Sequence, residues 1–148
     1  MYNTACRILN NREDAEDILQ EAFSDCFANI GSFRYESTFG AWLKSIVINK
    51  SINFMRRRKP DLVFSDNLPE MNEPEEIPEP KFSHPAILNA IAKLPDGYRT
   101  VLTLYLLEGY DHEEIAIILG ISENTSKTQY LRAKDKLRKI IINENPSR

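Results

Sequence analysis

The chain has 148 residues, 42% hydrophobic and 28% charged, with a formal net charge of −3. That size holds one ordinary domain or two small ones, and that balance excludes a disordered polar chain and a membrane-embedded one alike. No apolar run approaches the roughly 20 residues of a transmembrane helix, and the N-terminus lacks a basic-then-apolar leader, so no membrane insertion and a cytoplasmic location are expected.

Helical spacing is visible from the start. Tyr2, Ala5, Cys6 and Leu9 share one face, and Asn10-Asn11 makes a turn. Asn11 is placed to cap a second helix, with Glu13 and Asp14 in its first turn. Ala15, Ile18, Leu19, Ala22, Phe23, Cys26, Phe27 and Ile30 follow as an apolar stripe, with Gly31 as its stop. Ser37 or Thr38 opens a longer helix through Phe39, Trp42, Leu43, Ile46 and Val47, ended by Pro60. Beyond Ile46 its apolar residues are no longer confined to one face, which leaves a bend or break near Asn49 open.

Charge is segregated along this half. Glu13, Asp14, Glu16, Asp17, Glu21 and Asp25 form an acidic block with no Lys or Arg inside it. Lys44, Lys50, Arg56, Arg57, Arg58 and Lys59 form a basic block with no acid. Basic patches suit phosphate, and the acid elsewhere cancels them in the total.

Residues 60–85 carry Pro60, Pro69, Pro74, Pro78, Pro80 and Pro85 among many acids. Such a segment buries too little apolar surface to offset its ordering entropy, so it reads as a linker between units at 1–59 and 86–148.

The second unit reads as four helices. Pro85 opens one with Ile87, Leu88, Ile91 and Leu94; Pro95-Asp96-Gly97 turns into another with Tyr98, Val101, Leu102 and Tyr105, stopped by Gly109. Asp111 and Glu114 have capping-box spacing ahead of Ile115, Ala116, Ile118 and Leu119. Gly120-Ile121 turns, and Ser122 caps a last helix rich in Lys and Arg. Two helices joined by a short Gly turn, the second basic, form the helix-turn-helix signature. In the last helix Ser126, Tyr130, Ala133, Leu137, Ile140 and Ile141 fall within roughly 60° of one direction, the expected core side. Asn124, Lys127, Thr128, Leu131 and Arg132 project oppositely, where polar and basic groups suit base edges or phosphate and Leu131 suits a thymine methyl.

The expected fold class is all-α, with two small helical domains. Cys6 and Cys26 are the only cysteines, with His84 and His112 the only histidines, so no metal site is expected. A Gly-rich phosphate loop and nucleophile–base spacing are both missing, so neither cofactor nor enzyme activity is expected.

The stretch Asp14-Ala15-Glu16-Asp17-Ile18-Leu19-Gln20-Glu21-Ala22-Phe23 resembles the D-A-E-D-x-x-Q-E-x-F motif of sigma factor region 2. Ser37 to Asn49, with Phe39, Trp42, Leu43 and Ile46, resembles the segment that follows it. Leu94-Pro95 through Leu137, with Glu114-Ile115-Ala116, Gly120, Ser122-Glu123-Asn124-Thr125, Lys127 and Arg132-Ala133, resembles region 4. With a proline-rich linker and no domain between them, the chain is similar to the extracytoplasmic-function (ECF) type of the sigma-70 family of bacterial RNA polymerase.

The resemblance implies an alternative sigma factor, with core RNA polymerase (its β′ clamp and β flap), promoter DNA and an anti-sigma protein as partners. It implies clamp docking by Asp14, Asp17, Gln20, Glu21 and Ser24. It implies single-stranded minus-ten contacts from Asn49, Lys50, Arg56 and Arg57, with Trp42 read equally as a stacking surface or a core residue. Minus-thirty-five contacts would come from Asn124, Lys127, Thr128, Leu131 and Arg132. Two departures are visible: housekeeping members pair two tryptophans where this chain has Trp42-Leu43, and the family's recognition helix often carries a basic residue where Gln129 stands. The family also extends its first helix upstream of the position of Met1, so either a late start or a trimmed chain is expected. A helix-turn-helix regulator acting without polymerase would explain 86–142 equally well, but it leaves the acidic helix and the basic Asn49 segment unexplained. A decoy that keeps the fold but not transcription activity is the other alternative.

Limited proteolysis should cut first between residues 61 and 83 and leave two resistant fragments. Early cleavage inside both helical units, with that segment intact, would sink the two-domain reading.

Overall fold

The computed structural model describes residues 1–60 and 83–144, and these are helical with no strand among them. Of the linker expected at 60–85, residues 61–82 lie outside the described residues, and His84 and Pro85 at its end are helical. The chain divides into two compact units, Met1–Leu62 and Val63–Arg148, each described by itself.

In the first unit, helix α1 (Tyr2–Leu9) ends at Asn10, whose left-handed backbone (φ 52°) returns its N–H to the Cys6 carbonyl at 2.8 Å. Asn tolerates that conformation better than most residues. Helix α2 (Arg12–Ala28) starts one residue on, where the Asn11 side chain accepts the Asp14 N–H at 3.0 Å. Helix α3 (Phe39–Arg58) starts at Thr38, whose hydroxyl accepts the Ala41 N–H at 3.2 Å. All three pairs of helices are in contact, and Ala5, Ala15, Ala22 and Val47 lie fully buried where they meet.

Several expectations for this unit are corrected. The apolar stripe of α2 is buried only at Ala15, Ile18, Ala22 and Cys26; Phe23, Phe27 and Ile30 are exposed, Phe27 at 71%. The three-helix core closes around the stripe from Ala15 to Cys26, and among the described residues nothing buries its end. Gly31 is not a left-handed stop: α2 ends at Asn29, and Gly31 lies in a 3-10 turn, Ile30–Ser32. In α1 the deepest residues include Thr4 and Ile8, because two helices pack on it rather than one. For the same reason α3 runs unbroken past Asn49: its buried Leu43, Val47, Ile48, Ser51, Ile52 and Met55 cover about half its circumference.

In the second unit α4 (His84–Ala92) is capped by Ser83, with Pro85 in its first turn. Helix α5 (Asp96–Leu102) runs on into a π turn, Thr103–Leu107, where the Glu108 N–H reaches back to the Thr103 carbonyl at 3.0 Å. Gly109 ends it at φ 77°. Buried Arg99 pairs with Asp96 and donates to the Leu94 carbonyl at 2.9 Å, tying the start of α5 to the chain leaving α4. Helix α6 (His112–Leu119) carries the full capping box expected of Asp111 and Glu114. Gly120 closes it at φ 66°, and the Ile121 N–H returns to the Ala116 carbonyl at 3.0 Å. Helix α7 (Glu123–Glu144) begins with the Thr125 N–H on the Ser122 hydroxyl at 3.0 Å. It packs against α4, α5 and α6, burying Ala133, Leu137 and Ile141 with Ala90, Ile91, Leu94 and Leu102.

The turn between α6 and α7 rests on backbone conformation alone, because a Cβ at Gly120 would meet nothing within 4 Å. Gly120→Ala should therefore cost about 1–2 kcal/mol through left-handed strain, while Gly31→Ala, equally open and without positive φ, should be close to neutral. Thermal melts of both variants check this; equal shifts would count against it.

Candidate nucleic-acid and partner interfaces

The acidic residues of α2 do not act as one surface. At ~100° per residue Asp14, Glu21 and Asp25 fall on the edge of α2 beside α3. There Arg58 Nη1 donates to Asp14 Oδ2 at 2.5 Å. Lys50 Nζ donates to Glu21 Oε1 at 3.1 Å and lies 2.5 Å from Asp25 Oδ2. The Asp14 side chain is left only 14% exposed. Asp17, Gln20 and Ser24 stand clear of this seam and are exposed. Of the five residues expected to meet a basic partner, these three face outward, and Asp14 and Glu21 are turned to cations of the same unit. Asp25 and Arg58 belong to the seam and were missed; their spacing marks an edge of each helix but not which helix faces it.

Lys50, expected to bind phosphate, is committed to α2, with its side chain 21% exposed. The Asp25 hydrogen bond foremost, with Glu21 adding to it against the opposing cost of burial, raises its pKa above the usual lysine value. Asn49 and Arg57 are exposed and Arg56 is half-buried. Trp42, Asn49, Asn53 and Arg56 repeat at steps of seven, four and three, so they line one stripe of α3 opposite Val47, Ser51 and Met55. Asn53, exposed on that stripe, was not foreseen.

Trp42 is neither core nor isolated. Its ring stands 5.1 Å from Phe33 and 5.8 Å from Phe39, and Phe33 lies 4.6 Å from Tyr35. Tyr35 is 85% exposed, on a left-handed backbone (φ 58°). The result is a surface group of aromatic rings at the head of the Asn49 stripe, a suitable platform for unstacked bases. Leu43 is buried and contributes nothing to it.

On α7, Asn124, Lys127 and Leu131 are exposed, and Thr128 and Arg132 are half-buried. Lys127 pairs with Glu123 one turn earlier at 3.2 Å. Gln129 is buried, as are Thr125 and Ser126. The position where a basic residue was expected to meet DNA therefore lies inside the unit in this chain, because the side of α7 covered by its neighbours is wider than its apolar residues suggest.

An aromatic cluster sets the rotation of α7. The His112 ring stacks on Tyr105 with centroids 4.4 Å apart, and Tyr130 stands 4.4 Å from Tyr105. His112 Nδ1 lies 2.9 Å from the Ser126 hydroxyl, and Lys134 rests 5.5 Å from the centroid of Tyr130. Burial first, then the Lys127 charge, lowers the His112 pKa below its ordinary value of 6.5, with Glu123 and Asp111 opposing. The unfolded chain thus takes the proton more readily. The stabilisation is complete above about pH 6.5 and is lost as pH falls through the lowered value. Denaturation of the chain at about pH 8 and about pH 5.5 should show the second unit weakened at the lower pH, and His112→Asn should flatten that difference. An unchanged slope in the variant would remove His112 from this role.

Among the described residues no helix is long and apolar enough to cross a membrane, and no group of three or more His, Cys, Asp or Glu is placed to hold a metal ion.

Two family models match the chain in order: Sigma-70 region 2 over residues 1–60 and Sigma-70, region 4 over residues 84–137. The chain is 34% identical to the ECF RNA polymerase sigma factor SigW of Bacillus subtilis (strain 168), over 94% of this chain and 81% of that protein. It is 30% identical to the ECF RNA polymerase sigma-E factor of Escherichia coli (strain K12), over 84% of this chain and 72% of that one. In fold it is similar to the sigma factor RpoE, solved in complex with the anti-sigma factor NepR from Bartonella quintana, with a TM-score of 0.65 at 23% identity over 95% of this chain and 88% of that one. With region 2 and region 4 in sequence and this degree of identity along nearly its whole length, the chain belongs to the ECF sigma factors of the sigma-70 family.

Proposed function

We propose that the chain is an alternative sigma factor, a non-catalytic subunit that binds core RNA polymerase in the cytoplasm and directs it to particular promoters. The observation that carries this is the ordered pair of units: an acidic helix and a basic Asn-bearing helix in the first, and a helix-turn-helix in the second.

Asp17, Gln20 and Ser24, exposed on α2, are the residues we assign to the β′ clamp, with Asp14 and Glu21 beside them. Asn49 and the rings around Trp42 receive the single-stranded minus-ten element: an amide offers donor and acceptor to a flipped base, and aromatic faces stack neighbouring ones. Lys50, Arg56 and Arg57 supply charge for the backbone. Asn124, Lys127, Thr128, Leu131 and Arg132 of α7 read the minus-thirty-five duplex while the second unit meets the β flap. An anti-sigma protein is the expected inhibitor, as the RpoE complex exemplifies for that relative.

Run-off transcription with core polymerase on candidate promoters, with and without the chain, tests the reading; absence of any chain-dependent transcript while core is bound would favour a decoy. Asp17→Lys, on an exposed position away from caps, should abolish binding to core while leaving helicity unchanged, since such surface changes usually move stability by under ~0.5 kcal/mol. Unaltered affinity for core would count against the docking assignment.

A further inference from the structure

Three carboxylates of α2 hold two cations of α3: Asp14 on Arg58, and Glu21 with Asp25 on Lys50. Two carboxylates on one ammonium leave that corner of the seam with a net negative charge, the wrong sign for an approaching phosphate. The carboxylates of Glu21 and Asp25 remain half-exposed, at 56% and 51%, so they are hydrated and can let go. Pairs of this kind are individually weak, which makes them exchangeable. Taken with the reading of α3 as a nucleic-acid surface, on which this inference rests, we infer that Asp14, Glu21 and Asp25 are internal competitors for nucleic-acid phosphate. They occupy Lys50 and Arg58 in the free chain, and a single strand gains these contacts only by displacing a carboxylate. Asp14, Glu21 and Lys50 carry this beside the contacts proposed for them above, and Asp25 and Arg58 have no role in the proposed polymerase or promoter contacts.

The exchange predicts an asymmetry that net charge does not. Removing two acids anywhere on α2 raises attraction for DNA by the same long-range amount, whereas removing the two on Lys50 also releases a cation. The test uses the full chain and a labelled single-stranded thymidine oligonucleotide, with affinity read by fluorescence anisotropy at low salt. Glu21→Gln with Asp25→Asn should tighten binding by about three- to tenfold. The control, Glu13→Gln with Glu16→Gln, removes equal charge from exposed positions and should change it by about twofold or less. Adding Lys50→Ala to the first pair should erase most of its advantage. Rising salt should close the gap between the two pairs, since both the mask and the phosphate contact are screened. Circular-dichroism melts confirm that each variant is folded. Equal gains from the two pairs, or a gain that survives Lys50→Ala, would overturn the competition while leaving the nucleic-acid surface standing. If no folded variant binds the oligonucleotide, the reading of α3 and the competition built on it both fail.

Discussion

Ala15 and Ala22 of α2 lie fully buried with Ala5 of α1 and Val47 of α3, and the short side chains at these points let the helices come close. Helix α3 therefore lies within reach of both partners, and its buried surface has to span about half its circumference. What remains for solvent is a narrow stripe, and that stripe carries Trp42, Asn49, Asn53 and Arg56. The same close approach brings the acidic edge of α2 within ion-pair distance of Lys50 and Arg58. A bulkier residue at Ala15 or Ala22 would separate the helices, widening the stripe and breaking the ion pairs together. The candidate nucleic-acid surface and its charge environment thus follow from one packing constraint.

The second unit meets the same problem by other means. A basic helix can lie on a small domain at many rotations, and its apolar residues alone tolerate an error of half a turn's width. Here the rotation is set by polar and aromatic contacts: the stacked rings of Tyr105, His112 and Tyr130, and the His112–Ser126 hydrogen bond. Tyr105 lies within the π turn Thr103–Leu107; such turns often accompany functional geometry. The orientation of α7 consequently depends on a histidine whose pKa burial lowers.

In the first unit several exposed apolar side chains follow one another from the end of α2 to the start of α3. Phe27 and Ile30 stand at and just past the end of α2, and Tyr35 and Phe39 lie along the turn into α3. Tyr35 and Phe39 each contact Phe33, which stands beside Trp42 at the head of the Asn49 stripe.

Local chemistry determined the elements. Asn11, Thr38, Asp111 and Ser122 cap the helices expected of them, Pro85 stands in the first turn of its helix, and Gly109 and Gly120 stop theirs. Each of these depends on a residue and its backbone within three or four positions, which is information the sequence holds completely. The motifs that carry the family resemblance are local in the same way. Matters of facing were decided only by tertiary structure. The α2 stripe is apolar from Ala15 to Ile30, yet burial ends at Cys26, and Phe27 and Ile30 beyond it are exposed. Gln129, where the family often carries a basic residue, is buried, while Asp14, Glu21 and Lys50, expected to meet partners, are paired across the α2–α3 seam. Helical periodicity says which residues share a side; which neighbour lies against that side, and how far it extends, is settled only when the helices pack.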